Sequence, residues 1–324
     1  MTANKVFTRK KRRGAKLAYL PHCILPCAVL LLVFAFLTDQ KDASSAISLS
    51  LCRCARSLIP SLFPCMVLSS LVGALGGGEL LGKLFGGAFS FVFGISGPSA
   101  SALILGFLCG FPVGASYAVS LYKNGSISKD ELEKLIGLAS VPSPAFTVNV
   151  VGSSLFDSKE LGIALACAVI FSSFLCSLIF RGKRRTASSR EMISLPPKKV
   201  SIASAFSSAI SESALSMLRV CACVVFFSAV SAMLTKKLPT SLGLAVSGFL
   251  EFSGGCDSVA RSASPIAFPL CAAILGWSGL SVHFQIISVC GDTVSYKKYY
   301  IISLLKSAFS FITAFVVKML LFDV

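Results

Sequence analysis

Four ionisable side chains stand within or beside apolar runs of this sequence: Arg219, Glu251, Asp257 and His283. A charge at the centre of a bilayer costs about 2.5–3.5 kcal/mol on insertion scales, so each needs either a purpose or a partner. Glu251 is the most informative. It interrupts the run from Leu242 to Phe252 and is followed by Ser253-Gly254-Gly255, which breaks a helix and frees backbone groups for a ligand. A carboxylate there suits a bound cation or proton; the structural alternative is an ion pair with Arg219 or Arg261 that only ties helices together. His283 and Gln285 are suited to hydrogen-bonding a polar solute or relaying a proton, the alternative being a satisfied bond between helices. Arg219, near Glu212, reads as a headgroup anchor, and Asp257 as lying outside the hydrocarbon.

Uncharged groups extend the candidate set. Gly106, Gly110, Pro112 and Gly114 fall in one apolar run ending at Ser116, and Val141-Pro142-Ser143-Pro144-Ala145 precedes Thr147 and Asn149. Glycine and proline at this density end helices, and half-helix ends aim backbone dipoles at a solute. The candidate substrate or ion site is therefore Gly110, Pro112, Gly114, Ser116, Ser143, Asn149, Glu251, Ser281, His283 and Gln285. The competing role for glycines spaced as Gly73-x-x-x-Gly77, Gly82-x-x-x-Gly86 and Gly110-x-x-x-Gly114 is close helix packing. With only His22 and His283, a lone Cys52-x-Cys54 and the other cysteines mostly in apolar runs, no metal or cofactor is expected. Without a nucleophile triad or paired intramembrane acids, no enzyme is expected either. A proton or sodium ion is the expected coupling species.

The elements that position these residues follow from composition. Only 14% of the 324 residues are charged and mean hydropathy is +0.82, against roughly 25% charged in a soluble domain. The class is an all-α polytopic membrane protein of about seven to nine membrane segments, each needing about 20 apolar residues. The net charge of +16 is concentrated in two runs: Lys5, Arg9, Lys10, Lys11, Arg12, Arg13 and Lys16, then Arg181, Lys183, Arg184, Arg185, Arg190, Lys198 and Lys199. Both flank apolar segments, which marks them as cytoplasmic and lipid-facing rather than nucleic-acid-binding. The basic start and the run Cys27–Leu37 resemble a signal peptide without a cleavage site, so a retained first span is expected.

Apolar segments fall at about 17–38, 57–77, 97–122, 134–156, 160–180, 213–235, 238–260, 264–290 and 299–322. Cytoplasmic basic runs require an even number of crossings between them, so one of the five intervening segments must turn back. The glycine-proline run selects 97–122 as a re-entrant hairpin with limbs 97–109 and 115–122. Ser128-x-x-Glu131 is a capping box that starts a polar helix over 129–136. The second half repeats the theme at 248–255 and 276–285, leaving open whether 238–260 or 264–290 turns back. Four regions result: 1–56 with the basic terminus, first span and an external loop; 57–180 as a first repeat broken at 106–116 and 141–149; the basic loop 181–202; and 203–324 as a second repeat.

Five stretches in order carry a resemblance: Ser61-Leu62-Phe63-Pro64, Gly110-Phe111-Pro112-Val113-Gly114-Ala115, Ser143-Pro144-Ala145-Phe146, Gly248-Phe249-Leu250-Glu251 and Gly279 to Gln285. Over about residues 50–322 the chain resembles the YlbJ-like sporulation integral membrane proteins, within the group that carries the nucleoside-recognition or Gate domain. It departs from them at Ser143, where an Asn often precedes the proline, and at Ser116, where a Lys often follows Gly-Ala. The resemblance implies a multi-pass protein of a Firmicute inner membrane, associated with spore formation and related to segments of concentrative nucleoside transporters. With the residues above, it leads to two expectations: a secondary transporter or permease for a small polar solute with its N-terminus in the cytoplasm, or a non-transporting scaffold for spore-envelope assembly. Expected partners are anionic lipid headgroups, the solute and a second copy of the chain.

Overall fold

The computed structural model describes residues 26–27, 29–181, 201–262 and 264–321. The first half of the 17–38 segment and nearly all of the basic loop lie outside them. Five helical stretches are long and apolar enough to cross a membrane among the described residues, or six if one bent pair is a single span. The remaining helices are short pieces: one of 11 residues reaches about 16 Å, half of a hydrocarbon core of about 30 Å.

Helix α1 (Val29–Thr38) leads into α2 (Gln40–Arg53), which passes through a widened π-helical turn, Cys54–Leu58, into α3 (Ile59–Ala74). The external loop expected up to residue 56 is thus helix, continuous over 35 residues. The widening has a local cause: Pro60 has no N–H and its ring crowds the carbonyl of Arg56, one turn earlier. Lys236 bonds Asp42 and lies 3.8 Å from Asp39, tying the start of α2 to the far end of α9 (Ile202–Thr235).

Helix α4 (Gly77–Phe93), which the hydropathy reading passed over, meets α5 (Gly97–Cys109) at 87°. Its glycines make the corner tight: a Cβ on Gly86 would lie 2.8 Å from the Cα of Gly97. Gly77 falls beyond the turn that ends α3 and Gly110 lies outside any helix, so two of the three glycine pairs are not one-helix packing motifs.

Two charges of α7 (Lys129–Ala139) hold that corner. Ser128 caps α7 as expected, its Oγ accepting from Glu131 N at 3.3 Å, but the Glu131 carboxylate does not reach back to Ser128. Instead it accepts from Ser96 N (2.5 Å) and Ser99 Oγ (2.7 Å) at the start of α5. Lys134 donates to the carbonyls of Phe93 (3.0 Å) and Gly94 (3.1 Å) at the end of α4. Acid at a helix N-terminus and base at a C-terminus is the favourable sense for both dipoles. The expected polar helix is therefore buried from Lys134 to Ala139.

Each half then shows the same order. Helices α5 and α6 (Val113–Lys123) pack together across the break at 110–112, α7 breaks at 140–145 before a π-helix, Phe146–Leu155, and α8 (Lys159–Ile179) is long and straight. In the second half α10 (Thr240–Leu250) and α11 (Phe252–Ala260) pack together across Glu251, α12 (Ala267–Trp277) breaks at Ser278 before α13 (Gly279–Cys290), and α14 (Lys297–Leu321) is long. Helix α14 packs on α7, and α8 on α12, so each half's long helix supports the other half's broken one.

Gly114 shows how close the limbs of the first hairpin come: a Cβ there would lie 2.7 Å from Gly106 Cα and 2.8 Å from Ala139 Cβ. Gly114→Leu is expected to destabilise the fold by about 1–3 kcal/mol through overpacking, whereas Gly87→Ala, with nothing within 4 Å, leaves it unchanged or firmer. Equal unfolding midpoints for the two variants in detergent would show that the limbs are not in contact.

Candidate functional site

The breaks in the helices meet. Gly110, at φ +78, places its α-carbon against Ser143, where a Cβ would lie 2.5 Å from Ser143 N. The freed N–H of Phe111 donates to Val141 O at 2.9 Å, so one broken segment satisfies the other. The Phe111 ring stands edge-on to Phe252 at 5.0 Å, and Phe252 meets Phe146 at 5.1 Å. On the far side Gly279, at φ +74, lies under the second hairpin, where a Cβ would be 2.9 Å from Phe252 N and 3.2 Å from Glu251 Cα. All four broken segments thus converge, but three phenylalanines fill the place where a polar cavity was expected.

Glu251 is 1% exposed and begins α11. Its carboxylate accepts from Ser253 N (2.8 Å), Gly254 N (2.6 Å) and Ser253 Oγ (2.9 Å), which is the work of a helix N-cap. The cation beside it is Arg53 of α2, 3.9 Å away and also 3.5 Å from Asp257, rather than Arg219 or Arg261. Arg261 pairs with Asp257 at 2.8 Å. Ser143 plays the corresponding part at the other break, its Oγ accepting from Phe146 N at 3.2 Å.

The open space lies to one side. A cavity of about 370 Å³ runs between α3, α6 and α9, with Ser69, Ser116, Ser120, Ser213, Ser216 and the carboxylate of Glu212 on its walls and Pro112 of the first hairpin tip at its edge. A second, much smaller pocket shares Pro112, Ser216 and Val289 with it and is lined also by Arg219 and Gln285. Gln285 is 1% exposed, and neither its amide oxygen nor its nitrogen bonds another group among the described residues.

The other candidates scatter. His283 shares a 2.7 Å hydrogen bond through Nδ1 with the Tyr299 hydroxyl, its ring lies 4.3 Å from Trp277, and its Nε2 has no partner among the described residues. Ser281 is buried with a free hydroxyl, while Asn149 faces outward from the π-helix. So Pro112 and Ser116 are brought to the cavity and Gln285 to the small pocket beside it, Gly110, Gly114, Ser143 and Glu251 to the packed breaks, and Asn149 to neither. Sequence reasoning missed the α9 serines, because serine is unremarkable in an apolar helix, and it missed Arg53 by placing it in a loop. It also missed Lys306, the cation in the interior of the run from Tyr299 to Val317, which the criterion that singled out Glu251 selects equally well.

Long apolar helices, broken segments buried against one another and cations set at helix ends define a polytopic helical membrane protein. The chain is similar to the sporulation integral membrane protein YlbJ of Bacillus subtilis (strain 168), being 24% identical over 293 residues that cover 78% of this chain and 72% of that protein. No family model and no solved structure matches the chain.

Arg53 and Glu251 provide a direct test of this site. Arg53→Met leaves a buried carboxylate without its cation and is expected to cost about 2 kcal/mol of stability. Adding Glu251→Gln to that variant should cost clearly less than adding it to the wild type. Strictly additive losses in unfolding measurements would show that the two groups do not interact.

Proposed function

We propose that this chain is a sporulation-associated permease of a bacterial cell membrane, moving a small polar solute through the hydroxyl-lined cavity between α3, α6 and α9. The sporulation part rests on the similarity to YlbJ and on the five ordered motifs. The transport part rests on one observation: a cavity of about 370 Å³, within the size range of small-molecule sites, beside a small second pocket lined by the buried Gln285 amide. Gln285 offers a donor and an acceptor together, the serines offer more of both, and Glu212 on the cavity wall adds a carboxylate, which suits a neutral, zwitterionic or cationic solute. The recurring order of hairpin, broken helix and long helix supports reading the halves as inverted repeats of a Gate-like unit, with α5–α6 and α10–α11 as the re-entrant hairpins. In that arrangement the basic runs face the cytoplasm, and Pro112 at the hairpin tip is where movement would open or close the cavity.

A second reading, a scaffold that carries no solute, is favoured by the packing of Phe111, Phe146 and Phe252 where the breaks converge. Flux separates the two. In proteoliposomes, uptake of one member of a panel of nucleosides, amino acids and sugars is expected from the wild type, reduced at least tenfold by Ser216→Phe, which fills the cavity, and by Gln285→Leu. Folded protein that moves none of these solutes would favour the scaffold.

A further inference from the structure

Lys306 is fully buried in α14, and its Nζ donates to the carbonyl oxygen of Ser140, the residue that ends α7. Among the described residues no carboxylate forms an ion pair with it. The titratable groups that bear on it from other helices are Cys176 of α8 and His283 of α13, neither of which is an acid that could balance its charge. A buried ammonium needs compensation from somewhere. The end of α7 supplies it, because the last carbonyls of a helix lack intrahelical partners and together carry about half a negative charge.

The sequence at the break keeps that end open. Pro142 and Pro144 prevent the helix from continuing. The Ser140 hydroxyl turns back to Ile136 O at 2.5 Å, Ala139 O accepts from Val141 N at 3.1 Å, and Val141 O accepts from Phe111 N at 2.9 Å. The Ser140 carbonyl is left for Lys306. On the opposite side α12 comes close enough that a Cβ on Gly276 would lie 2.7 Å from Lys306 O, which holds this turn of α14 against its neighbours.

Carbonyls at the C-terminal ends of broken membrane helices are where free monovalent cations are held. We propose that Lys306 is a tethered cation: its ammonium occupies a monovalent-cation site at the C-terminal end of α7, supplying from within the chain the charge that an exchangeable ion would otherwise bring. This deepens the permease reading and rests on it only in what it says of coupling, namely that no sodium ion is needed at the first break. The cation site itself is tested without any flux.

Lys306→Ala removes a propylammonium-sized portion of the side chain and opens its space beside Ser140. Thermal unfolding midpoints of the wild type, Lys306→Ala and Lys306→Met would be compared in choline, sodium and propylammonium chloride. The wild type is expected to be indifferent to the salt. Lys306→Ala should unfold earlier in choline and recover by about 5 °C or more with propylammonium or sodium, as binding to the native state requires. Lys306→Met, whose apolar chain fills the space, should not respond. Recovery of folded Lys306→Ala only when propylammonium or sodium is present would support the site in the same way. A wild type raised by sodium as much as Lys306→Ala would overturn it. So would a Lys306→Ala variant that responds to neither cation, or that never folds in either while Lys306→Met does. Because midpoints need no transported solute, failure of the permease reading and failure of this one appear in different experiments.

Discussion

In a bilayer no water is present to satisfy a broken backbone, and that constraint shapes this protein more than any other. Each helix break exposes N–H and C=O groups that cost several kcal/mol if left unpaired in hydrocarbon. Four such breaks among the described residues are buried together, so that Phe111 N finds Val141 O in a neighbouring break and three phenylalanine rings seal the junction. Close approach at Gly110, Gly114 and Gly279 is what makes the junction geometrically attainable. The long helices α8 and α14 are the frame against which the broken ones are held.

The buried charges obey the same logic. Glu131 sits at the start of α5 and Lys134 at the end of α4; Glu251 sits at the start of α11 and Lys306 at the end of α7. In every case an acid meets a helix N-terminus or a base meets a C-terminus, as the helix dipole favours. Splitting helices inside the membrane creates interior termini, and these side chains are the groups that complete them. Ion pairing is secondary: Arg53 near Glu251 is the clearest instance among them.

Much of the architecture was legible in the sequence, since helix breaks in apolar runs are announced by proline and glycine. Gly110-Phe111-Pro112, Pro142-Ser143-Pro144, the stretch after Leu250 and Ser278-Gly279 mark the four breaks to within a few residues. Helix α4 was hidden because its glycines and Lys83 dilute hydropathy, although those glycines are what let it fold onto α5. Five or six of the described helical stretches have the length to cross; the seven to nine segments expected from the sequence also counted broken runs and the 17–38 segment, whose first half lies outside the described residues. The site was less legible. Which polar groups share a cavity depends on how α3, α6 and α9 pack, and nothing in the spacing of Ser69, Ser116 and Ser216 reveals that they face one another. Partners were no easier: Glu251 and Arg53 are almost 200 positions apart in the chain, and only the fold brings α2 to α11.

Convergence of the breaks is the claim on which the rest depends, and crosslinking tests it most directly. Phe111 and Phe252 would be replaced by cysteine in a chain freed of its native cysteines, with a protease site placed in the 182–200 stretch between the halves. After treatment in membranes with a short bifunctional thiol reagent and cleavage, the two halves should remain joined, as rings 5.0 Å apart require. Halves that separate completely, while a control pair on α8 and α14, which pack together across the two halves, still links them, would contradict the junction.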